Sequence, residues 1–282
     1  MNHSFDKITV LGGGLLGGSI ALAIGEKADL KLWFRKNQAA ENAKIAGFTS
    51  ATADLEMAVA DCELLILAVP VGAMPDLLTR AIHAGLPSAA IVTDVGSVKQ
   101  NPHLQLDEII AETGNTFVGS HPMAGSERNG IEASRKDLFE GAACLLTNDS
   151  DASEASKNKV EIFWKSLGCR TKWLSAAEHD EIVARISHLP HITAASTILS
   201  ALENNTEHGQ FAGGGLRDTT RVAAGNPSMW AEILTENKDS VIKLLHSNIA
   251  HQNEILDSLE QGDLEAVRRW LDAAKELRDK LH

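Results

Sequence analysis

One histidine stands out by the residues around it. His121 lies in the segment G-S-H-P-M-A-G-S-E (residues 119–127), where glycine and proline flank it directly after the apolar pair Phe117 and Val118. An apolar pair before glycine and proline is typical of a strand end, so we predict His121 in a tight loop just beyond a strand. Because a neutral imidazole accepts a proton near pH 7, His121 is the predicted general base of an enzyme.

Two more histidines, His188 and His191, lie three positions apart in S-H-L-P-H. In a helix this spacing puts both side chains on one side. Pro190 cannot donate to the carbonyl of Ile186, which predicts a kink in the helix. Three interpretations are open: a metal site, packing or capping histidines, and hydrogen bonding to a substrate. We favour substrate binding and predict no metal, because no thiolate or pair of carboxylates lies nearby at ligand spacing.

A basic pair follows three glycines in G-G-G-L-R-D-T-T-R (residues 213–221). We predict a flexible glycine loop that leads into a short helical turn, on which Arg217 and Arg221 form a fork for a carboxylate. Alternatively, the two arginines pair with Asp218 or another surface carboxylate. Trp230, farther along the chain, is expected to pack in the core.

A glycine-rich turn near the N-terminus predicts a second kind of site. The β-prone run K-I-T-V-L precedes G-G-G-L-L-G, and a helix rich in small residues follows. Gly12 permits the tight turn, Gly14 lets the backbone approach a pyrophosphate, and Gly17 lets helix and strand pack closely. This order predicts dinucleotide binding, with Leu15 and Leu16 at the helix N-terminus that holds the anion.

The end of the second predicted strand bears on the choice of dinucleotide. The strand L-K-L-W-F is followed by Arg35 and Lys36 rather than by Asp or Glu. A carboxylate here would accept hydrogen bonds from the ribose hydroxyls of NAD, whereas basic side chains suit a 2′-phosphate. The pattern favours NADP, with NAD possible, and the alternative is that both charges are simply solvated.

Three further apolar runs continue the predicted sheet: residues 63–71, 89–94 and 116–119. Nearly continuous apolar strands belong to parallel sheets that are covered on both faces. Val69 and Pro70 end the first run, Ser97 follows the second, and His121 follows the third. Since the carboxyl ends of parallel strands meet at one edge, we expect Val69 and Pro70 to contact the cofactor, with Ser97 and His121 near the nicotinamide.

The strand pattern stops at residue 175. Strands are predicted at 141–147 and 169–174, and helices at 176–203, 228–260 and 263–281. The predicted fold class is α/β: an N-terminal doubly wound sheet of the Rossmann type in residues 1–175, then an all-helical domain in residues 176–282. Apolar residues at helical spacing, such as Ile242, Leu245 and Ile249, form a stripe in the helical half. Because that half has no sheet of its own, we expect it to pair in a homodimer.

Composition limits the classes of partner and compartment. The chain has 282 residues, 44% of them apolar, and a formal charge of -12, which argues against nucleic acid or an anionic membrane surface as a partner. No apolar run approaches the ~20 residues of a membrane span, and no signal peptide is apparent, so we expect a cytoplasmic protein. The three widely spaced cysteines are expected to be reduced and buried.

Six segments in order carry a resemblance: V-L-G-G-G-L-L-G-G-S, L-A-V-P, D-V-G-S-V-K, S-H-P-M-A-G-S-E, S-H-L-P-H and G-G-G-L-R-D-T-T-R. Together they resemble the prephenate/arogenate dehydrogenase family of tyrosine biosynthesis over about residues 7–240. The resemblance implies oxidative decarboxylation of a cyclohexadienol, in which hydride leaves the carbinol carbon for a nicotinamide and loss of carbon dioxide makes the ring aromatic. The product would be 4-hydroxyphenylpyruvate from prephenate, or tyrosine from arogenate.

The resemblance also implies roles for single residues. His121 accepts the proton of the substrate hydroxyl, Ser97 hydrogen-bonds near His121 and the nicotinamide, and Arg221 pairs with a substrate carboxylate. Further residues implied in the substrate pocket or in orienting it are His188, His191, Ser126, Glu127, Asp218 and Trp230.

The choice between the two substrates depends on a few residues. Arogenate carries an ammonium, which a carboxylate favours, whereas prephenate carries a ketone, which a neutral group or a donor suits. Ser126 is neutral but Glu127 is beside it, so the sequence leans to prephenate, with arogenate as the alternative.

Two rival functions are each consistent with part of the sequence. Other enzymes with a Rossmann domain and a helical domain, the β-hydroxyacid dehydrogenases and imine reductases, commonly use a lysine on a helix after the sheet, where this chain offers His121. A dinucleotide-sensing protein without catalysis would leave the set of His121, His188 and Arg221 unexplained.

Overall fold

An eight-stranded sheet makes up the N-terminal part of the molecule. The computed structural model describes residues 4–125 and 128–281. In chain order the strands of this sheet are β1 (Lys7–Leu11), β2 (Asp29–Trp33), β3 (Ala51–Thr52), β4 (Leu64–Leu67), β5 (Ile91–Asp94), β6 (Thr116–Pro122), β7 (Ala143–Thr147) and β8 (Arg170–Leu174). Their spatial order is β3-β2-β1-β4-β5-β6-β7-β8.

The sheet is open and mostly parallel. Strands β1 to β6 pair in parallel, β6 and β7 pair antiparallel, and β7 and β8 are again parallel. Chain order reverses direction at β1 and β4, which is the topological switch point where such sheets bind ligands. The predicted α/β fold, with a Rossmann-type sheet followed by helices, is confirmed.

Helices connect the strands and then continue alone. Those between the strands are α1 (Leu15–Ile24), α2 (Asn37–Ile45), α3 (Leu55–Val59), α4 (Met74–His83), α5 (Gln100–Ile110) and α6 (Glu154–Ser166). After β8 come α7 (Ala176–Val183), a π-helical turn (Ala184–His188), α8 (Leu189–Leu202), α9 (Gly214–Thr220), α10 (Pro227–Glu236), α11 (Lys238–Glu260) and α12 (Leu264–Arg278).

Both faces of the sheet are buried, which explains the continuous apolar runs. In β4, Leu64 and Ile66 belong to one core cluster. Leu65 and Leu67 belong to another. Since successive side chains of a strand point to opposite faces, helices must cover the sheet on both sides.

The predicted loop position of His121 is wrong. His121 lies inside β6, where it pairs with Leu145 of the antiparallel strand β7. The pairing extends to Pro122 and Cys144, and the Met123 amide donates to the Ala143 carbonyl at 2.7 Å. A partner strand from farther along the chain therefore prolongs β6 through residues that, taken locally, indicate a turn.

The kink predicted at Pro190 takes the form of a wide turn. The predicted helix 176–203 is interrupted by the π-helical turn Ala184–His188, and Pro190 lies in the first turn of α8. Pro190 has no N–H to donate to the preceding turn, which fits the wider turn directly before it. A π-helical segment of this length is rare and is frequently found at functional sites.

The predicted continuous helix over residues 228–260 is wrong. It breaks at Asn237, whose backbone angles of φ -110° and ψ 29° end α10 before α11 begins. The Asn237 side chain is buried and donates to the Asp180 carbonyl at 2.8 Å. The break thus coincides with a long-range hydrogen bond, which local periodicity does not show.

The predicted glycine loop is only partly a loop. Gly213 caps α9, but Gly214 and Gly215 lie within its first turn. The helix therefore begins one residue into the glycine run.

Two compact units divide the chain, residues 1–237 and 238–282. The second consists of α11 and α12, and the Asp263 side chain caps α12 by accepting from the Ala266 amide at 2.9 Å. The predicted domain boundary at residue 175 falls between β8 and α7, and it stays a prediction.

Cys62, Cys144 and Cys169 are free and buried, as expected. Within the residues that the structure describes, we find no helix with the length and apolar character needed to cross a bilayer.

Candidate active site

Two adjoining cavities lie beyond the carboxyl ends of the central strands. The first, the glycine-turn crevice, has a volume of about 430 Å³ and is lined by residues that include Gly14, Leu15, Leu16, Val69 and Pro70. The second, the histidine pocket, has a volume of about 400 Å³ and is lined by residues that include His121, His188, Arg221 and Trp230. Residues that line both are Ser97, Ala124, Gly125, Asn129, Met229 and Ile233.

Glycine is needed for different reasons at different positions of the crevice. A Cβ on Gly17 would lie 1.9 Å from the Gly12 carbonyl oxygen, and one on Gly12 would lie 2.3 Å from the Ala68 oxygen. Gly12 also has a φ of 119°, which side chains rarely adopt. A Cβ on Gly14 would meet no atom within 4 Å. Gly12 and Gly17 therefore serve the fold, whereas Gly14 leaves open space.

That open space fits a dinucleotide. Helix α1 begins at Leu15, directly after Gly14, and no side chain caps its N-terminus. The first amides of a helix attract an anion such as a pyrophosphate. The residues that are present thus suit a dinucleotide whose phosphates lie at the start of α1.

Arg35 and Lys36 follow β2, as expected, and both are exposed. Neither lines the glycine-turn crevice. Their role toward a 2′-phosphate stays a prediction.

His121 is the central side chain of the histidine pocket. Only 8% of its surface is exposed, and its Nδ1 lies 2.9 Å from Nε2 of His179 on α7. Burial, followed by the positive forms of His179, Lys99 and His188, lowers the pKa of His121 well below its ordinary value of 6.5. The imidazole is therefore neutral at pH 7 and can accept a proton.

Behind His121 lies a carboxylate that sequence reasoning missed. His179 Nδ1 lies 2.8 Å from Oδ1 of Asp180. The same carboxylate accepts from the backbone amides of Lys99 at 2.7 Å and Gln100 at 3.0 Å, at the start of α5. Burial raises the pKa of Asp180, but the bonds from His179 and from these amides outweigh it and hold the pKa below 3.8.

Sequence reasoning also missed a buried ion pair, which supports the turn that carries Ser97. The Lys99 ammonium lies 2.6 Å from the Asp94 carboxylate, and both side chains are fully buried. Lys99 also donates to the Gly96 carbonyl at 2.8 Å, and Asp94 accepts from the Ser120 amide at 2.9 Å. The ion pair thus ties the Ser97 turn to the residue before His121.

Sequence signals for these residues were weak but present. Asp94 and Lys99 flank Ser97 in D-V-G-S-V-K, where a charged residue at each end of a buried turn suggests an ion pair. His179 and Asp180 lie in A-A-E-H-D-E, a polar run that is typical of a solvated helix start. Their burial depends on tertiary packing alone.

The other two predicted histidines have different surroundings. His188 is buried and lines the pocket, and its Nδ1 lies 3.3 Å from the side-chain amide nitrogen of Asn237. Burial lowers its pKa to about 4.

His191 does not line the pocket and instead stacks on Trp230, with ring centroids 3.6 Å apart and an angle of 10° between the ring planes. Trp230 is half-buried and forms a pocket wall, rather than packing in the core as its residue type had indicated.

The predicted arginine fork is not formed. Arg221 is exposed and lines the histidine pocket, but Arg217 does not, and its Nε donates to the Ala212 carbonyl at 3.2 Å. Asp218 is exposed and also lies outside the lining. Ser126 and Glu127 lie outside the residues that the structure describes.

Helix α10 forms the side that the two cavities share. Its Glu232 carboxylate accepts from the Gly72 amide at 2.6 Å, in the turn after β4. This bond holds Met229 and Ile233 over the crevice and the pocket. A dinucleotide crevice that opens into a pocket with a neutral, buried histidine defines a nicotinamide-dependent dehydrogenase.

Two family models match this chain over most of its length. Residues 24–173 match the model "Prephenate dehydrogenase, nucleotide-binding domain", and residues 175–273 match "Prephenate dehydrogenase, dimerization domain". The chain belongs to the prephenate dehydrogenase family and is an oxidoreductase that uses NAD or NADP. The resemblance carried by the sequence motifs is thereby confirmed.

Individual relatives agree with this assignment. The chain is 33% identical to the prephenate dehydrogenase of Bacillus subtilis, over all of this chain and 77% of that protein. It is 30% identical to the cyclohexadienyl dehydrogenase of Zymomonas mobilis, over 92% of this chain and 90% of that protein. The crystal structure of the Aquifex aeolicus prephenate dehydrogenase with hydroxyphenyl propionate and NAD+ superposes with a TM-score of 0.89 at 26% identity, over the full length of both chains.

Proposed function

We propose that this chain oxidises and decarboxylates prephenate to 4-hydroxyphenylpyruvate, with His121 as the base. The observation that carries the proposal is the position of His121: a neutral, buried imidazole in the pocket that shares Ser97 with the dinucleotide crevice. In this reaction a proton leaves the hydroxyl oxygen and a hydride leaves the ring carbon that bears this hydroxyl. A base on one side and a hydride acceptor on the other must therefore face the same carbon.

The chemistry at the ring requires a proton acceptor. The bound nicotinamide supplies the hydride acceptor. His121 takes the hydroxyl proton, so that the electron pair of the O–H bond forms the carbonyl while the C–H pair leaves as hydride. The pair of the C–C bond to the ring carboxylate then enters the ring, carbon dioxide leaves, and the phenolate oxygen recovers the proton from His121.

Arg221 and Ser97 position the substrate. Arg221 lines the pocket, and its guanidinium is suited to a bidentate bond with a substrate carboxylate. Ser97 lines both cavities, so this residue lies where ring and nicotinamide would meet. We assign Arg221 to anchoring and Ser97 to orienting the reacting carbon.

The pocket favours the ketone of prephenate over the ammonium of arogenate. Among the lining residues that the structure describes there is no Asp or Glu. His188 is neutral because its pKa is about 4, and the Asn237 amide at its Nδ1 leaves the proton on Nε2 as a donor. A donor suits a ketone or a carboxylate, and nothing in this part of the lining suits an ammonium.

A matrix of two substrates and two cofactors tests the proposal. Prephenate and arogenate are each assayed with NAD and with NADP, following nicotinamide absorbance. We expect turnover of prephenate with a higher kcat/KM than arogenate. Absence of turnover in all four combinations would overturn the proposed function, and a preference for arogenate would overturn the substrate assignment.

We further propose that NADP is preferred over NAD, since Arg35 and Lys36 follow β2 where a carboxylate would select NAD. The double variant Arg35→Ala/Lys36→Ala is expected to raise the KM for NADP and leave that for NAD nearly unchanged. Lys44→Ala on α2, an exposed lysine paired with Glu41, is the matched control. A wild-type enzyme that prefers NAD contradicts this assignment.

We also propose that the protein is a homodimer. Residues 175–273 match a dimerisation domain. The α11 side chains Ile242, Ile249, Leu256 and Leu259 are exposed, which leaves an apolar row on this helix. Size-exclusion chromatography with light scattering should give twice the mass of one chain, and the mass of a single chain would reject the dimer.

A further inference from the structure

Three side chains form a buried line that ends at the pocket. Asp180 Oδ1 lies 2.8 Å from His179 Nδ1, and His179 Nε2 lies 2.9 Å from His121 Nδ1. Asp180 is 1% exposed and His179 is not exposed at all. Of the three, only His121 lines the histidine pocket.

The bonds allow one arrangement of protons. Asp180 accepts from the backbone amides of Lys99 and Gln100, so its carboxylate is an acceptor toward His179 as well. His179 must therefore donate from Nδ1. A neutral imidazole carries one proton, which leaves Nε2 of His179 as an acceptor. The Nδ1 of His121 must then donate to it.

We propose that Asp180, acting through His179, fixes His121 as the tautomer whose Nε2 is unprotonated and available to the substrate. His179 and Asp180 are positioning residues that touch neither substrate nor cofactor. The inference rests on the proposed function, since it assigns these residues to the base of that reaction.

The same line stabilises the charge that His121 gains. When Nε2 of His121 takes the hydroxyl proton, Nδ1 stays hydrogen-bonded to His179. The positive ring is then connected through two hydrogen bonds to the buried Asp180 carboxylate. Lys99 and His188 also lie near His121, and their positive forms oppose its charging. The Lys99 ammonium is itself paired with Asp94. Asp180 is thus the group on this side that offsets the cost of an imidazolium.

Asp180 also anchors the element that bears Ser97. The hydrogen bonds that it accepts from Lys99 and Gln100 connect α7 with the segment just after Ser97. A single carboxylate therefore relates the orientation of the base to the position of Ser97. This coupling predicts that a change at Asp180 acts on kcat far more than on KM.

Nitrogen NMR on the wild-type protein tests the tautomer directly. With ¹⁵N-labelled histidine, and without substrate or cofactor, we expect His121 to be protonated at Nδ1 and bare at Nε2 near pH 7. Asp180→Asn is expected to weaken this preference. A wild-type His121 protonated at Nε2 would overturn the inference even when prephenate is turned over. Loss of all turnover in the wild type would instead overturn the proposed function.

Kinetics of a matched set of variants give a second readout. His179→Leu removes the acceptor for His121 and is expected to lower kcat by about 10²-fold with KM little changed. His179→Gln keeps an acceptor oxygen near the place of Nε2, so part of that kcat should return. Equal kcat for the two variants would contradict the inference.

Asp149→Ala separates positioning from helix stability. Asp149 accepts from the Ala176 amide at 2.8 Å and so caps the same helix α7 without touching His179. We expect this variant to lower thermal stability while kcat and the His121 tautomer stay as in the wild type. If it lowered kcat as much as His179→Leu does, the effect would be one of helix stability and the inference would fail.

Discussion

The two cavities of this enzyme are built in different ways. The glycine-turn crevice is shaped by backbone within a few residues of one turn, where Gly12 and Gly17 pack against carbonyls and Gly14 leaves room for a ligand. The histidine pocket depends on side chains from distant segments. His121 and His179 are 58 residues apart, and Lys99 and Asp180 are 81 apart. The crevice is thus a local property of the chain, whereas the pocket exists only in the folded state.

The largest effect should come from the base itself. His121→Asn removes the proton acceptor and is expected to lower kcat by about 10²- to 10⁴-fold. Calorimetric titration should show cofactor affinity close to that of the wild type, because His121 does not line the crevice. A near-normal kcat would show that the pocket is not where the chemistry occurs.

The next effect concerns the rim of the pocket. Arg221→Ala is expected to raise the KM for prephenate by roughly 10- to 100-fold, which corresponds to one charge-assisted hydrogen bond, with a smaller change in kcat. Arg217→Ala is the control, since Arg217 lies outside the pocket lining and bonds to the Ala212 carbonyl. Equal KM values for the two variants would refute the assigned anchor.

Two glycine variants would sharpen the contrast within the crevice. Gly17→Ala places a Cβ against the Gly12 carbonyl, so we expect the free energy of unfolding to fall by about 1–3 kcal/mol. Gly14→Ala meets no protein atom, so stability should be nearly unchanged while the dinucleotide binds more weakly. Thermal melts and binding titrations measure both. The reverse pattern would show that Gly14, rather than Gly17, serves the fold.

The smallest effect is a shift of the acidic side of the kcat/KM pH profile to lower pH. His121 must be neutral to act as a base, so kcat/KM falls when pH drops through its pKa. Burial, and then the neighbouring positive groups, place that pKa well below 6.5. We expect kcat/KM for prephenate to stay level from pH 8 to pH 6.5 and to decline only in more acidic buffer. A decline centred above pH 6.5 would mean that His121 is less buried in solution.

The sequence predicted those parts of the site that are encoded locally. The glycine turn, the segments after β4 and β5 that carry Pro70 and Ser97, and the interruption of the helix near Pro190 all lie close to where short patterns put them. Each depends on backbone preferences within a few residues. The family resemblance extended this to His121, His188 and Arg221, which the fold brings to one pocket.

What the sequence did not predict depends on partners far along the chain. His121 lies in a strand because β7 pairs with it, and the break at Asn237 coincides with a bond to the Asp180 carbonyl. His179 and Asp180 resemble solvated residues at the start of a helix until α7 packs against the start of α5. No local pattern distinguishes these outcomes, because each is decided by contacts between elements.

The π-helical turn between α7 and α8 also determines which way the side chains on either side of it point. His179 and His188 are nine residues apart, which in a regular α-helix is about two and a half turns and would put them on opposite sides. The wider turn Ala184–His188 advances the chain by fewer degrees per residue. This turn reduces the angle about the helix axis between the two side chains. One nearly continuous helix can therefore bond to His121 through His179 and line the pocket with His188. Regular α-helical geometry in this turn at unchanged length would place the two histidines on opposite sides of the helix while leaving the composition of the site unchanged.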